Sequence, residues 1–161
     1  MINRDAPYAF KEKPAGGIPF SPPLNDGRPG ILRSFVQTAF ECSDADLAAW
    51  FTLDSEGKKI RLKQQDCRGI YPLPETLPAS SGWTSFLLEC REMAVLNNPA
   101  PHPLSGLLLH EKMRSGIALP MFKKNEVSDI VILNSRKDNH FGSSNCCRLI
   151  RLSGICSNLI K

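Results

Sequence analysis

The stretch that most constrains the fold runs from Met113 to Asn134, M-R-S-G-I-A-L-P-M-F-K-K-N-E-V-S-D-I-V-I-L-N. Ile117, Leu119 and Met121 alternate with smaller residues, the two-residue repeat of a strand with one buried face. Lys123, Lys124 and Asn125 break the apolar run as a polar hairpin loop does. The chain then returns through Val127 to Leu133. Its I-V-I-L run leaves no wet face, so this strand is expected inside a sheet, covered on both sides. A polar loop, N-S-R-K-D-N-H-F-G-S-S-N, follows it, and an amphipathic run reaches the last residue.

Residues 1–29 hold six of the thirteen prolines, at 7, 14, 19, 22, 23 and 29. Proline lacks the amide donor and fixes φ, so this stretch reads as an extended arm or linker, and the folded domain as residues 30–161. Ile31, Leu32, Phe35, Val36, Ala39 and Phe40 fall on one helical face, which predicts a first helix over about 30–43. Ala48–Leu53 and the segment around Ile60, Leu62 and Gln64 predict two strands joined by the D-S-E-G-K turn. Pro72, Pro74 and Pro78 predict a loop over Gly69–Ala79. A short helix, W-T-S-F-L-L-E-C-R, follows, with Trp83, Phe86, Leu87 and Cys90 expected to face inward. Glu92–Leu96 reads as a short strand and Leu104–Met113 as a helical turn. Leu149, Ile150, Leu152, Ile155, Cys156, Leu159 and Ile160 form the broad apolar stripe of a closing helix over 146–160, which no glycine or proline terminates before Lys161. That helix is expected to continue in a longer protein.

With 161 residues, 42% of them hydrophobic, the chain can bury one core. The formal charge of +4 is dispersed, and its densest cluster, Lys58, Lys59, Arg61 and Lys63, has no aromatic neighbour to stack a base. Nucleic acid is therefore not an expected partner. Neither a signal-peptide core nor a bilayer-length apolar run is present in the sequence, so a cytoplasmic protein without a membrane partner is expected. Reduced thiols are the expected state of the cysteines at 42, 67, 90, 146, 147 and 156, whose spacing matches no structural zinc pattern. Vicinal Cys146 and Cys147 admit two readings: a strained, reducible disulfide, or small fillers, one buried and one half exposed.

The R-S-G-I-A-L-P-M-F segment (114–122), its hairpin, I-V-I-L-N (130–134), Phe141 after a polar loop and the closing helix resemble the C-terminal half of a GAF domain, the small-molecule sensor module of signalling proteins. A weaker likeness reaches back to about Gly30. The resemblance implies an α+β, GAF-like (PAS/profilin-like) central antiparallel sheet of five or six strands, with the N- and C-terminal helices packed on one face. It implies a ligand pocket on the other face, lined by Leu73, Trp83, Phe86, Cys90, Met93, Asn97, His102, Leu108, Ser115 and Ile117. A regulatory, non-catalytic role follows, in which the domain binds a small molecule and/or dimerises to pass a signal to an output domain; the unterminated stripe at Leu149–Ile160, paired with the face of the first helix, points to a homodimer through the terminal helices at Phe35, Leu149, Leu152, Ile155 and Leu159.

Other branches of that family fit the residues less well. The cyclic-nucleotide branch carries Asn-Lys, Phe and Asp-Glu; Asn134 and Phe141 match, but Ser135 replaces the lysine and Asn145 and Cys146 replace the acids. Asn134 and Phe141 are read instead as a turn residue and a core anchor. The branch that reduces free methionine sulfoxide needs a cysteine shortly before the Arg114–Met121 strand, and Leu104–Met113 has none. A haem or iron site would need His102, His110 or His140 as ligand, and a bilin site an adjacent Cys-His pair; the histidines read as loop residues. The sequence names no cofactor and no metal site. The alternative reading from a different class is a cysteine-based redox sensor or an enzyme on this fold, using Cys90 or the Cys146–Cys147 pair.

Overall fold

The computed structural model describes residues 27–80 and 82–160. The proposed proline-rich arm falls outside these residues up to position 26. Gly27–Pro29 instead form the first turn of helix α1 (Gly27–Ser43). Proline is tolerated there because first-turn amides have no intrahelical acceptor. Strands β1 (Leu47–Leu53), β2 (Lys59–Cys67) and β3 (Thr76–Pro78) follow, then helix α2 (Gly82–Cys90), strand β4 (Ala94–Leu96) and a 3-10 turn at Ser105–Leu107. The hairpin β5 (Ser115–Lys123) and β6 (Glu126–Ser135) leads into the closing helix α3 (Ser143–Leu159).

All pairings are antiparallel, in the order β3-β2-β1-β6-β5-β4. Adjacent strands are consecutive in sequence except at one seam, where β1 meets β6 from Leu47↔Asn134 to Thr52↔Asp129. The I-V-I-L strand thus takes a central place, and alternation sends its residues to both sides. Val131 and Leu133 join the core under α1 and α3, while Ile130 and Ile132 join the core on the other face. The hairpin turn is tighter than the three-residue loop expected: Lys124 and Asn125 both sit at positive φ, 50° and 66°, the geometry that matches strand twist. The loop expected over Gly69–Ala79 contains β3. Pro78 is tolerated because this strand is at the sheet edge, where only one side needs a ladder donor.

Helices α1 and α3 pack together over one sheet face, burying Phe35, Val36, Phe141, Leu149 and Leu152 with Ile117, Leu119 and Met121. Each such side chain contributes on the order of 1.5–3 kcal/mol by leaving water. The register explains two corrections. Ile117 and Met93 pack against the helix-side core, so neither reaches the face where the pocket was expected; on β5 it is Ala118, one residue on, that faces the other side. Phe35, Leu149 and Leu152 are buried within this chain at 0%, 0% and 1% exposure and cannot face a partner. Their own sheet consumes that part of the stripe. Ile155 and Leu159 remain exposed, as does Ile150.

Phe141 is a buried anchor, as its position suggested. Asn134 is not a turn residue. It lies in β6, fully buried, where its Oδ1 accepts from the Leu109 amide at 2.8 Å and its Nδ2 donates to the Leu107 carbonyl at 3.1 Å. A buried amide of this kind requires such partners, and here it clamps the 3-10 segment onto the sheet.

Candidate functional site

The face opposite α1 and α3 is closed by α2 and the 3-10 segment. Helix α2 buries Trp83, Thr84 and Leu87. Cys90 is its last residue, followed by Arg91 at φ 60°, so the helix ends before that thiol can turn inward, and Cys90 is exposed. Trp83, Leu87 and Leu107 pack with Phe51, Ile60 and Ile132 in one apolar cluster, with Phe86, Leu108 and Leu73 at its margin. Two glycines show how tightly it is filled. A Cβ at Gly106 would lie 2.8 Å from Trp83 Cδ1, and one at Gly116 would lie 2.5 Å from Asn134 Nδ2 and 2.7 Å from Leu107 Cδ2.

Of the pocket residues expected from sequence, Trp83, Phe86 and Leu108 are therefore brought together, with Leu73 beside them. The polar ones serve other ends. Asn97 Oδ1 accepts from the Phe141 amide at 3.2 Å and its Nδ2 donates to the Phe141 carbonyl at 3.3 Å, fixing the start of the closing segment. Ser115 Oγ is buried and donates to the Lys137 carbonyl at 2.6 Å. His102 is exposed, its Nδ1 accepting from the Leu104 amide.

The thiols are likewise dispersed. All six are free. Cys156 is buried in the helix-side core, and desolvation pushes its pKa up to about 12. Burial, and then the neighbouring Cys147, also raise the Cys146 pKa. Cys146 is half buried against the helix-side core while Cys147 is exposed, so each is more open than the filler reading expected. A raised pKa disfavours the thiolate that nucleophilic chemistry needs. Among the described residues no group of three or more His, Cys, Asp or Glu side chains could hold a metal ion.

A polar centre lies elsewhere, where the first turns of α1 cross the sheet near the β5–β6 turn. Asp129 is paired directly with Thr52 across the β1–β6 seam, and Trp50 lies two residues along on the same face. Asp129 Oδ1 accepts from Trp50 Nε1 at 2.9 Å and from Thr52 Oγ1 at 2.7 Å. Its Oδ2 accepts from Arg28 Nη2 and from Ser128 Oγ, each at 2.7 Å. Burial alone raises the carboxyl pKa, but the donors Thr52, Arg28, Trp50 and Ser128 more than offset it and leave it below the usual range. Arg28 is equally committed. Its Nη1 donates to the carbonyls of Ile160, at 3.1 Å, and Phe122, at 3.4 Å.

Around this centre opens a cleft of about 490 Å³, lined by Arg28, Pro29, Leu32 and Arg33 of α1, Trp50, Thr52 and Leu53 of β1, Lys63 of β2, and Lys123, Ser128 and Asp129 of the hairpin. A register shift opposite Trp50 and Phe51 gives β2 an extra residue, and that residue is Lys63. Sequence reasoning missed this site. The available signal was Asp129 itself, an acid opening an otherwise apolar central strand.

No protein-family model matches the sequence, and no curated protein matches it either. Solved structures do match by shape. A type II free methionine-R-sulfoxide reductase from Thermoplasma acidophilum superposes with a TM-score of 0.69 at 16% identity, over 86% of this chain and 95% of that one. The free methionine-R-sulfoxide reductase of Neisseria meningitidis, solved with its substrate, gives 0.68 at 15% identity, over 89% and 94%. The GAF domain of an Acinetobacter phosphoenolpyruvate-protein phosphotransferase gives 0.63 at 15% identity, over 99% and 93%. These likenesses extend over nearly the whole of each neighbour, and they agree with the strand order and the helix pair described above: the chain has a GAF-like fold.

Proposed function

We propose that this chain is a non-catalytic regulatory domain that self-associates through its terminal helices and passes a signal along them to an output domain. The observation that supports this is the residual apolar flank of α3. Ile155 and Leu159, one helical turn apart, are 45% and 41% exposed on the same flank of α3. Ile150, nine residues before Leu159, lies on the far flank and does not extend that patch. The test is sedimentation velocity over a concentration series of the chain and of Ile155→Arg/Leu159→Arg. A dimer that dissociates on substitution is expected. A strict monomer at high micromolar concentration would sink the proposal.

A second reading, a thiol-dependent reductase or redox switch, is favoured by the fold shared with the two reductases. In this chain it would rest on the exposed thiols of Cys90 and Cys147, since Leu104–Met113 carries no cysteine. Rapid alkylation of one cysteine at neutral pH, with protection by methionine sulfoxide, would support it. Uniformly slow, unprotected labelling would count against it.

A further inference from the structure

The cleft beside Asp129 has four cationic side chains in its lining, Arg28, Arg33, Lys63 and Lys123, against one carboxylate. The carboxylate is fully used. Asp129 takes its donors from Trp50, Thr52, Ser128 and Arg28, and Arg28 spends its other terminal nitrogen, Nη1, on two carbonyls. Arg33, Lys63 and Lys123 are left over. Among the described residues none of the three has an ion pair or a side-chain hydrogen bond, and all three are exposed. They come from a helix, a bulged strand and a hairpin end, and so approach one space from three directions. Leu32, Leu53, Pro29 and the buried indole of Trp50 supply its apolar walls.

We propose that this cleft binds a small phosphorylated molecule, with Arg33, Lys63 and Lys123 contacting the phosphate and the apolar walls contacting its organic body. Like charges gathered without counter-charges repel one another, and an anion between them relieves that repulsion. Cations converging from three sides suit a tetrahedral, multiply charged phosphate better than a planar carboxylate, which a single guanidinium fork would match. The volume falls within the roughly 300–1,000 Å³ of small-molecule sites and far exceeds what a bare phosphate fills. The site opens on the helix side of the sheet, where Leu32 and Trp50 join the core, and of its lining residues Leu53 alone packs with the cluster around Trp83. It is linked to the end of the closing helix through Arg28, which lines the cleft and donates to the carbonyl of Ile160, the residue that caps α3. The inference does not depend on self-association, and its test reads binding rather than oligomeric state.

The experiment is calorimetric titration of the full chain with inorganic pyrophosphate, ADP and citrate at low and physiological salt. Saturable binding is expected for pyrophosphate, tighter for ADP, and weaker by roughly tenfold at the higher salt. Arg33→Ala, Lys63→Ala and Lys123→Ala should each weaken pyrophosphate about five- to tenfold, with the triple variant inactive. Lys112→Ala, in the turn that precedes β5 and so beyond the far end of that strand from Lys123, should bind as the parent does. Because the three side chains are exposed, unchanged circular dichroism and melting of the variants will separate lost binding from lost folding. No saturable binding of pyrophosphate or ADP overturns the proposal, as does binding indifferent to all three substitutions. Citrate bound as tightly as pyrophosphate overturns the assignment to phosphate.

Discussion

Replacing Asp129 tests whether its four hydrogen bonds hold α1 to the sheet. In Asp129→Ala the Trp50 indole N–H loses its acceptor in a residue only 6% exposed, and leaving it unmet costs about 1–3 kcal/mol. Thr52 and Ser128 lose theirs at smaller cost, since both are half buried and can turn to water. Arg28 loses its ion pair, but its side chain keeps 20% exposure and two carbonyl acceptors, so its charge is only partly stranded. The sum should fall at about 3–5 kcal/mol, the usual range for breaking a buried pair. Asp129→Asn keeps one carbonyl oxygen for Trp50 and Thr52 but loses the charge and sets an NH2 donor where Oδ2 accepted from Arg28 and Ser128, so about 2–3 kcal/mol is expected, below the Ala cost. Urea unfolding at pH 7 measures both. Acid gives an independent check. The folded pKa of Asp129 lies below its unfolded value, so its stabilisation is complete above the unfolded value, about 4, and disappears as pH falls through the folded pKa. The parent and Asp129→Asn curves should therefore converge at low pH. Equal costs for the Ala and Asn variants, or an Ala cost below about 1 kcal/mol, would refute the reasoning.

Gly116→Ala should destabilise by about 1–3 kcal/mol in the same urea assay, because the new methyl would meet the buried Asn134 amide and Leu107 together. A neutral result would mean the 3-10 segment yields freely. Asn134→Ala should cost about 2–3 kcal/mol and speed hydrogen exchange at the Leu109 amide, which it satisfies; unchanged exchange there would remove its clamping role. Timed alkylation at neutral pH should label exposed Cys67, Cys90 and Cys147 first and Cys156 only on unfolding. Early labelling of Cys156 would contradict its burial.

The central hairpin was legible because its residues obey local rules: alternation set β5, and the unbroken I-V-I-L run set β6 inside the sheet. Helices α1 and α3 were legible from their stripes, but the stripe could not say how much of itself the sheet would consume. Phe35, Leu149 and Leu152 went to the core and left Ile155 and Leu159 outside. The pocket assignments failed where they ignored strand parity, since Ile117 and Ala118 must face opposite ways. Cys90 failed because a helix can stop one residue too soon. The cleft was invisible for a different reason: Arg28, Trp50, Lys63 and Asp129 are brought together only by the β1–β6 seam and a bulge, neither of which has a local signature.

Arg28 stands next to the start of the described chain and Ile160 is its last residue, yet a single guanidinium holds the two together while gripping the sheet at Asp129. Pulling on one end therefore loads the other through the same side chain. Cargo attached at either end would share one anchor, and a molecule seated beside that anchor would stiffen or loosen both attachments at once.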